Sequence, residues 1–251
     1  MKSVKLIGFD LDDCLFDSTG LSERARIKGI DAMINLGLKV EKAKAIQLIY
    51  EIVNEYGSNS SKHFNYFIRR LNHMKGKVEN ISYNARHKYI AAAVMAYHEE
   101  KVKSIKLYDD VEECLMRLNK LSIKTSIITD GIPIKQYEKI LRLNIDKKID
   151  LIVISDEIGF KKPNPELFSY WLRKTGIKGD EAIYIGDRID KDITPANLNN
   201  INTVYIHRGG KYDIPHIDLN TKPSLKPNYE ISSLNELYNI IDDINNKNRR
   251  R

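Results

Sequence analysis

Cysteine is scarce in this chain: two residues, Cys14 and Cys114, among 251. They lie far apart in sequence. They form neither the paired spacing of a zinc site nor the framework of a disulfide-stapled secreted domain. Long apolar runs are also missing, since no stretch reaches the ~18–20 residues needed to cross a bilayer. The first ten residues carry charge and lack an apolar core with a cleavage site, so no export signal and a cytoplasmic location are expected. Acidic residues are outnumbered, and the formal charge is +7. Beyond Asp243, however, Lys247, Arg249, Arg250 and Arg251 supply four of those seven charges with no acid among them. A short basic terminus of this kind reads as a solvated end. The body carries no nucleic-acid motif, so neither nucleic acid nor membrane is an expected partner.

The remaining composition suits a globular protein able to bury a core, with 42% hydrophobic and 30% charged residues. Five short apolar runs rich in β-branched residues read as strands buried on both faces. They are 4–9, 124–128, 151–154, 182–185 and 203–206. Amphipathic stretches lie between them. One covers 111–121, where Val111, Cys114, Leu115 and Leu118 share a face; others cover 134–143 and 165–174. Asn164 is a suitable N-cap, Pro165 a suitable first helical residue and Gly176 a natural stop. Ser233 followed by Glu236 is a capping box before an apolar stripe of Leu234, Leu237, Ile240, Ile241 and Ile244. Strands alternating with helices predict an α/β fold with a doubly wound parallel sheet. The polar stretch 208–230, with Pro215, Pro223 and Pro227, reads as loop.

Residues 18–103 break the alternation. Helical patterns at 21–36, 41–56, 62–71 and 83–103 follow one another with no convincing strand. Some are separated by Gly57-Ser58-Asn59-Ser60 and by Lys75-Gly76-Lys77. The expected organisation is a core of 1–17 and 104–251 interrupted by an inserted helical domain, 18–103.

In an open parallel sheet, ligands sit beyond the carboxyl ends of the strands. There the sequence delivers Asp10, Asp12 and Asp13 after the first strand, and Thr129, Asp130 and Gly131 after the second. Lys161, Lys162 and Pro163 follow the third, and Gly186, Asp187, Asp190 and Asp192 the fourth. Carboxylates gathered at one point repel each other unless a cation is present. Hard oxygen ligands with no histidine or cysteine cluster suit Mg²⁺. A nearby lysine, the Thr129 hydroxyl and the backbone N–H groups around Asp130 and Gly131 suit phosphate oxygens. Such a set is a cage for a phosphoryl group.

Asp10-Leu11-Asp12-Asp13-Cys14 resembles the first motif of the haloacid dehalogenase-like superfamily, Asp-x-Asp-x-Thr/Val. Thr129-Asp130-Gly131, Lys162-Pro163, and Gly186-Asp187 with Asp192 resemble its second, third and fourth motifs, in order. The resemblance spans roughly 1–206. The helical insert resembles the first-type cap of its phosphatases, phosphoglycolate phosphatase and related archaeal enzymes among them. It implies Asp10 as nucleophile and Asp12 as general acid and base. It implies Mg²⁺ held by Asp10, the backbone carbonyl of Asp12 and Asp187, with Asp192 outside that set or orienting Lys162. Thr129 and Lys162 would hold phosphate. Adjacency to Pro163 favours Lys162, with Lys161 the alternative. Cys14 departs from the commoner threonine and is read as structural. The dehalogenase branch lacks an acid two residues after the nucleophile, so Asp12 favours phosphate esters.

Within the insert, His63 and Arg69 are candidates to touch substrate, beside Asn59, Tyr66 and Arg70. The alternative is that Phe64, Phe67, Ile68 and Leu71 pack inward while His63 and the arginines lie on a wet face. The expected reading is an Mg²⁺-dependent phosphatase for a small phosphorylated metabolite: a triose phosphate such as glyceraldehyde 3-phosphate, or phosphoglycolate. A phosphomutase of the same superfamily and a non-catalytic phosphate-binding module are the rivals. Oligomeric state has no signal in the sequence.

Overall fold

Six strands line up in one parallel sheet: β1 (Leu6–Phe9), β2 (Lys124–Thr129), β3 (Leu151–Ile154), β4 (Ala182–Gly186), β5 (Asn202–Ile206) and β6 (Tyr229–Ile231). This is a computed structural model describing residues 3–58, 60–73, 82–210, 213 and 225–249. Asn59, Lys75, Gly76, Lys77, Pro215, Pro223, Arg250 and Arg251 lie outside those residues. The spatial order is β3-β2-β1-β4-β5-β6. The chain winds outward from β1 on one side and then returns to wind outward on the other, so the switch point lies between β1 and β4. Strands β1 and β4 are buried along their whole length, as a sheet covered on both faces requires.

The helices of this α/β unit are α5 (Val111–Lys120), α6 (Pro133–Arg142), α7 (Ser155–Ile158), α8 (Glu166–Thr175), α9 (Thr194–Asn197) and α10 (Leu237–Arg249). The local signals act as expected. Asn164 Oδ1 accepts from the Glu166 N–H at 3.0 Å at the start of α8. Gly176 ends α8 in the left-handed region, with φ 69°. Ser233 and Glu236 make the capping box that leads into α10. Leu167, Phe168 and Trp171 of α8 pack with Leu6, Ile128, Val153 and Tyr184 in the core.

Strand β6 begins at the end of the stretch read as loop. It has only three residues, follows Pro227 and Asn228, and exposes Glu230. That is too short for an alternating pattern to register, and its pairing with β5 rather than its own composition makes it a strand.

Two compact units are present: 1–19 with 105–251, and 20–104. The second is helical, built from α1 (Ser18–Asn35), α2 (Lys42–Tyr56), α3 (His63–His73) and α4 (Tyr83–Ser104). Its core contains Ile30, Met33, Leu48, Ile49, Ile52, Phe64, Phe67, Ile68 and Leu71. Tyr56 and Tyr66 stack at 3.9 Å between ring centroids. No helix among the described residues is long and apolar enough to cross a membrane.

Candidate active site

The switch point brings four distant stretches together. Strand β1 ends at Phe9, and the next N–H, that of Asp10, donates to Ile185 O of β4 at 2.9 Å. This ties the first acid to the strand that delivers Gly186 and Asp187. The chain then turns tightly, with Asp13 at φ 61° and its N–H on Phe16 O. The Asp13 carboxylate accepts from the N–H and the hydroxyl of Thr19 at 2.8 and 2.6 Å. Cys14 is buried, with Sγ 3.7 Å from Ile185 O.

Lys162 is the centre of the cluster. Its Nζ donates to Asp10 Oδ1 at 2.6 Å, Asp192 Oδ1 at 2.7 Å and Tyr184 OH at 2.7 Å. It is almost wholly enclosed, with 3% of its side chain exposed. Lys161 points elsewhere, to Asp156 at 3.1 Å on the surface. Of the two lysines before Pro163, Lys162 is therefore the one among the acids. Asp130 holds this loop in place, because its Oδ1 accepts from the Lys162 N–H at 3.1 Å. Asp192 accepts from Lys162, from Tyr184 OH at 3.1 Å and from the Arg188 N–H at 3.1 Å. The lack of a side chain at Gly186 makes room for that carboxyl, since a Cβ there would fall on it.

Thr129, at the end of β2, is 1% exposed. Its Oγ1 accepts from Gln136 Nε2 at 2.5 Å, which leaves its own O–H to donate elsewhere. The Gly131 N–H donates to Ser155 Oγ at 3.1 Å, so any phosphate contact there has to displace an existing bond. Asp12 is paired with Lys139. Its two oxygens lie 2.8 and 2.7 Å from Lys139 Nζ, and Oδ2 also takes a bond from Gln136 at 3.2 Å.

The electrostatics follow from this crowding. Burial raises the Asp10 carboxyl, Lys162 opposes that, and Asp192 and Asp12 add to it, leaving it at about 7. Asp187 is pushed to about 9 by burial and by the charges of Asp10, Asp192 and Asp13, with Lys162 the opposing influence. Burial would also raise Asp12, but Lys139 and hydrogen bonds from Lys139, Ser18 and Gln136 outweigh it and hold that carboxyl low. For Lys162, burial opposes the charge, yet Asp10 and Asp192 more than compensate and keep it protonated.

Carboxylate oxygens of Asp10, Asp187 and Asp192 lie within 4.8 Å of one another. Against these three acids the cluster holds, among the described residues, one ammonium, that of Lys162. When all three are ionised, two negative charges lack compensation. A hard divalent cation fits that deficit and that all-oxygen donor set. Asp10 and Asp187 are the freer ligands, because Asp192 is already committed to three donors.

In the helical unit, Phe64, Phe67, Ile68 and Leu71 do pack inward, and Arg69 is exposed. His63 departs from the wet-face alternative. It is 7% exposed, and its Nε2 lies 2.8 Å from Gly57 O. Burial and the nearby Arg26 charge keep its ring below the usual histidine range, against the bond to Gly57. Arg70 pairs with Glu55.

Sequence reasoning missed Gln136, Lys139, Tyr184 and Arg208. Gln136 and Lys139 read as the wet face of an amphipathic helix, and Tyr184 as strand core. Their three-residue spacing just after the Thr129 loop was the available signal. Arg208 follows β5. It donates through Nε to Cys14 O at 3.1 Å and through Nη1 and Nη2 to Asp110 at 2.8 and 3.0 Å.

The chain is similar to known proteins. The chain is 38% identical over 244 residues to a glyceraldehyde 3-phosphate phosphatase of Methanopyrus kandleri, covering 96% of this chain and 98% of that one. It is 39% identical over 249 residues to the protein of the same name from Pyrococcus furiosus, covering 99% and 98%. Among solved structures, Bacillus subtilis YfnB, a putative hydrolase crystallised with magnesium, superposes with TM-score 0.64 at 19% identity, covering 96% of this chain and 100% of that one. The sequence profile for haloacid dehalogenase-like hydrolases matches residues 7–206. This chain belongs to the haloacid dehalogenase-like hydrolase family.

Proposed function

We propose that the protein is an Mg²⁺-dependent phosphatase for a small phosphorylated metabolite, with glyceraldehyde 3-phosphate the first candidate substrate and phosphoglycolate the second. The relatives named for glyceraldehyde 3-phosphate align over nearly the whole chain, the helical unit included. The observation that supports the chemistry most is the knot of Lys162 with Asp10 and Asp192 at 2.6 and 2.7 Å, beside Asp187.

Asp10 attacks phosphorus through a carboxylate oxygen, and the bond from phosphorus to the ester oxygen breaks, leaving an aspartyl-phosphate. Lys139 holds Asp12 ionised at rest, so a proton from solvent must reach the carboxylate when substrate binds before Asp12 can give it to the departing alkoxide. Asp12 then takes a proton from the water that attacks the aspartyl-phosphate; the bond from phosphorus to Asp10 breaks, and inorganic phosphate leaves. Lys162 and the Thr129 hydroxyl hold phosphate oxygens. Asp192 and Tyr184 keep the Lys162 ammonium in place. Bound by Asp10, Asp187 and the Asp12 backbone carbonyl, Mg²⁺ would supply charge stabilisation at the phosphoryl oxygens.

The test is phosphate release from a panel of phosphorylated metabolites in the presence of Mg²⁺. Glyceraldehyde 3-phosphate should be turned over with free phosphate as product, and Asp10→Asn or chelation of the cation should stop it. Transfer of the phosphoryl group to a sugar with no free phosphate would support a mutase instead. Persistent turnover by the Asn variant would remove Asp10 from its role.

A further inference from the structure

Helix α6 places two side chains one turn apart on one face, Gln136 and Lys139. Gln136 is buried, and its Nε2 meets Thr129 Oγ1, Asp130 O and Asp12 Oδ2 at 2.5, 3.0 and 3.2 Å. Lys139 reaches both oxygens of Asp12, at 2.8 and 2.7 Å. The buried Ile140 anchors the helix, and Pro133 starts it directly after the Thr129 loop. The face that touches Asp12 is therefore set by the same segment that carries Thr129.

An ion pair with 21% and 30% of its side chains exposed adds little to stability. Its consequence lies in orientation. A short acidic side chain has two torsions to fix, and a cation bonded to both oxygens fixes them together. Gln136 adds a third bond to one of those oxygens. Asp12 is therefore held in one pose by Lys139 and Gln136.

We propose that Lys139 is a positioning residue that presets the Asp12 carboxyl group for proton exchange with the leaving-group oxygen. This rests on the reading of the chain as a phosphatase in which Asp12 exchanges that proton. Lys139 acts through Asp12 alone, so its influence appears only where the leaving group needs a proton. An alkyl phosphate needs one, whereas nitrophenolate departs as the anion.

The experiment compares the unchanged protein with Lys139→Met, Lys139→Arg, Asp12→Asn and the Asp12→Asn/Lys139→Met double variant. Each is assayed with Mg²⁺ on glyceraldehyde 3-phosphate and on p-nitrophenyl phosphate. Lys139→Met should lower kcat on the alkyl ester by about 10–100-fold, the scale of a misplaced catalytic group. On the nitrophenyl ester the loss should stay within about threefold, and KM for both should move by about twofold at most. Lys139→Arg should recover most of the alkyl-ester rate, and the double variant should be no slower than Asp12→Asn. Equal losses on the two esters, or an unchanged or faster alkyl-ester rate in Lys139→Met, would overturn the inference while leaving the phosphatase reading intact. Absence of Asp10-dependent phosphate release by the unchanged protein would overturn that reading, and the inference with it.

Discussion

Asp110→Ala should destabilise the α/β unit by about 3 kcal/mol, because it breaks an enclosed ion pair that joins three distant segments. Asp110 accepts from Arg208 Nη1 and Nη2 at 2.8 and 3.0 Å, from Ser233 Oγ at 3.0 Å and from the Leu234 N–H at 2.8 Å. The Asp110 and Arg208 side chains are 10% and 8% exposed. Removing one partner of such a pair costs about 3–5 kcal/mol, and the lower end applies here because water can follow into a site that is not fully closed. For a chain of this size, that corresponds to a midpoint lowered by about 6–12 °C. The single tryptophan, Trp171, is fully buried in this unit and reports its unfolding by fluorescence. The pH dependence has a definite sign. Burial alone would raise Asp110, but Arg208 and the hydrogen bonds from Leu234 and Ser233 prevail and hold it below its unfolded value of about 3.9. Its stabilisation is therefore complete above that value and is lost as pH falls through the folded one. The gap between the unchanged and Ala proteins should be constant from about pH 8 to 5 and should close below about pH 4. A gap under about 0.5 kcal/mol at pH 7, or one that persists undiminished at pH 3, would refute the reasoning.

Asp12→Ala should slow glyceraldehyde 3-phosphate hydrolysis by about 100-fold or more and p-nitrophenyl phosphate hydrolysis far less; equal losses, read from kcat on the two esters, would remove Asp12 from proton exchange. Gly186→Ala should both destabilise the protein, by about 1–3 kcal/mol, and cut turnover, because its Cβ would displace a carboxyl group that Lys162, Tyr184 and the Arg188 N–H hold in place. Thermal unfolding and phosphate release measured on the same sample would check this, and an unaffected pair of values would show that Asp192 is free to move.

The sheet and most helices were legible because their signals are local. Runs such as 151–154 and 182–185 are short, apolar and rich in β-branched residues, as strands of a parallel sheet are, and Asn164 and Gly176 mark the two ends of α8. Strand β6 was hidden because three residues carry no period and its pairing partner is remote in sequence. In the cluster, Asp10, Lys162, Asp187 and Asp192 announced themselves as charged residues that follow apolar runs. Gln136, Lys139 and Tyr184 did not. An amphipathic helix shows which face is wet but not which part of the wet face meets another loop, and a tyrosine inside an apolar strand looks like packing until its hydroxyl is seen on Lys162. His63 misled for the converse reason. Its polarity suggested solvent, while the Gly57 carbonyl supplied the partner that lets a neutral ring be buried.

The two lysines divide the acids into unequal groups, and that division constrains how a phosphate can enter. Lys139 and Asp12 make a neutral pair. Lys162, by contrast, is shared between Asp10 and Asp192, and Asp187 lies beside them with no ammonium of its own among the described residues. With all three acids ionised, a phosphate dianion approaching that second group would meet net negative charge in an enclosed setting, where repulsion is little screened. Lys162 cannot resolve this alone, because turning toward the phosphate weakens its hold on Asp10 and Asp192. A cation and an anion entering that cluster together would each offset the other's charge. Whichever binds first creates the charge that the other needs, so their affinities must rise together by the same factor. The raised values of Asp10 and Asp187 express the same strain: these carboxyls are held close enough to resist ionisation until a positive charge joins them.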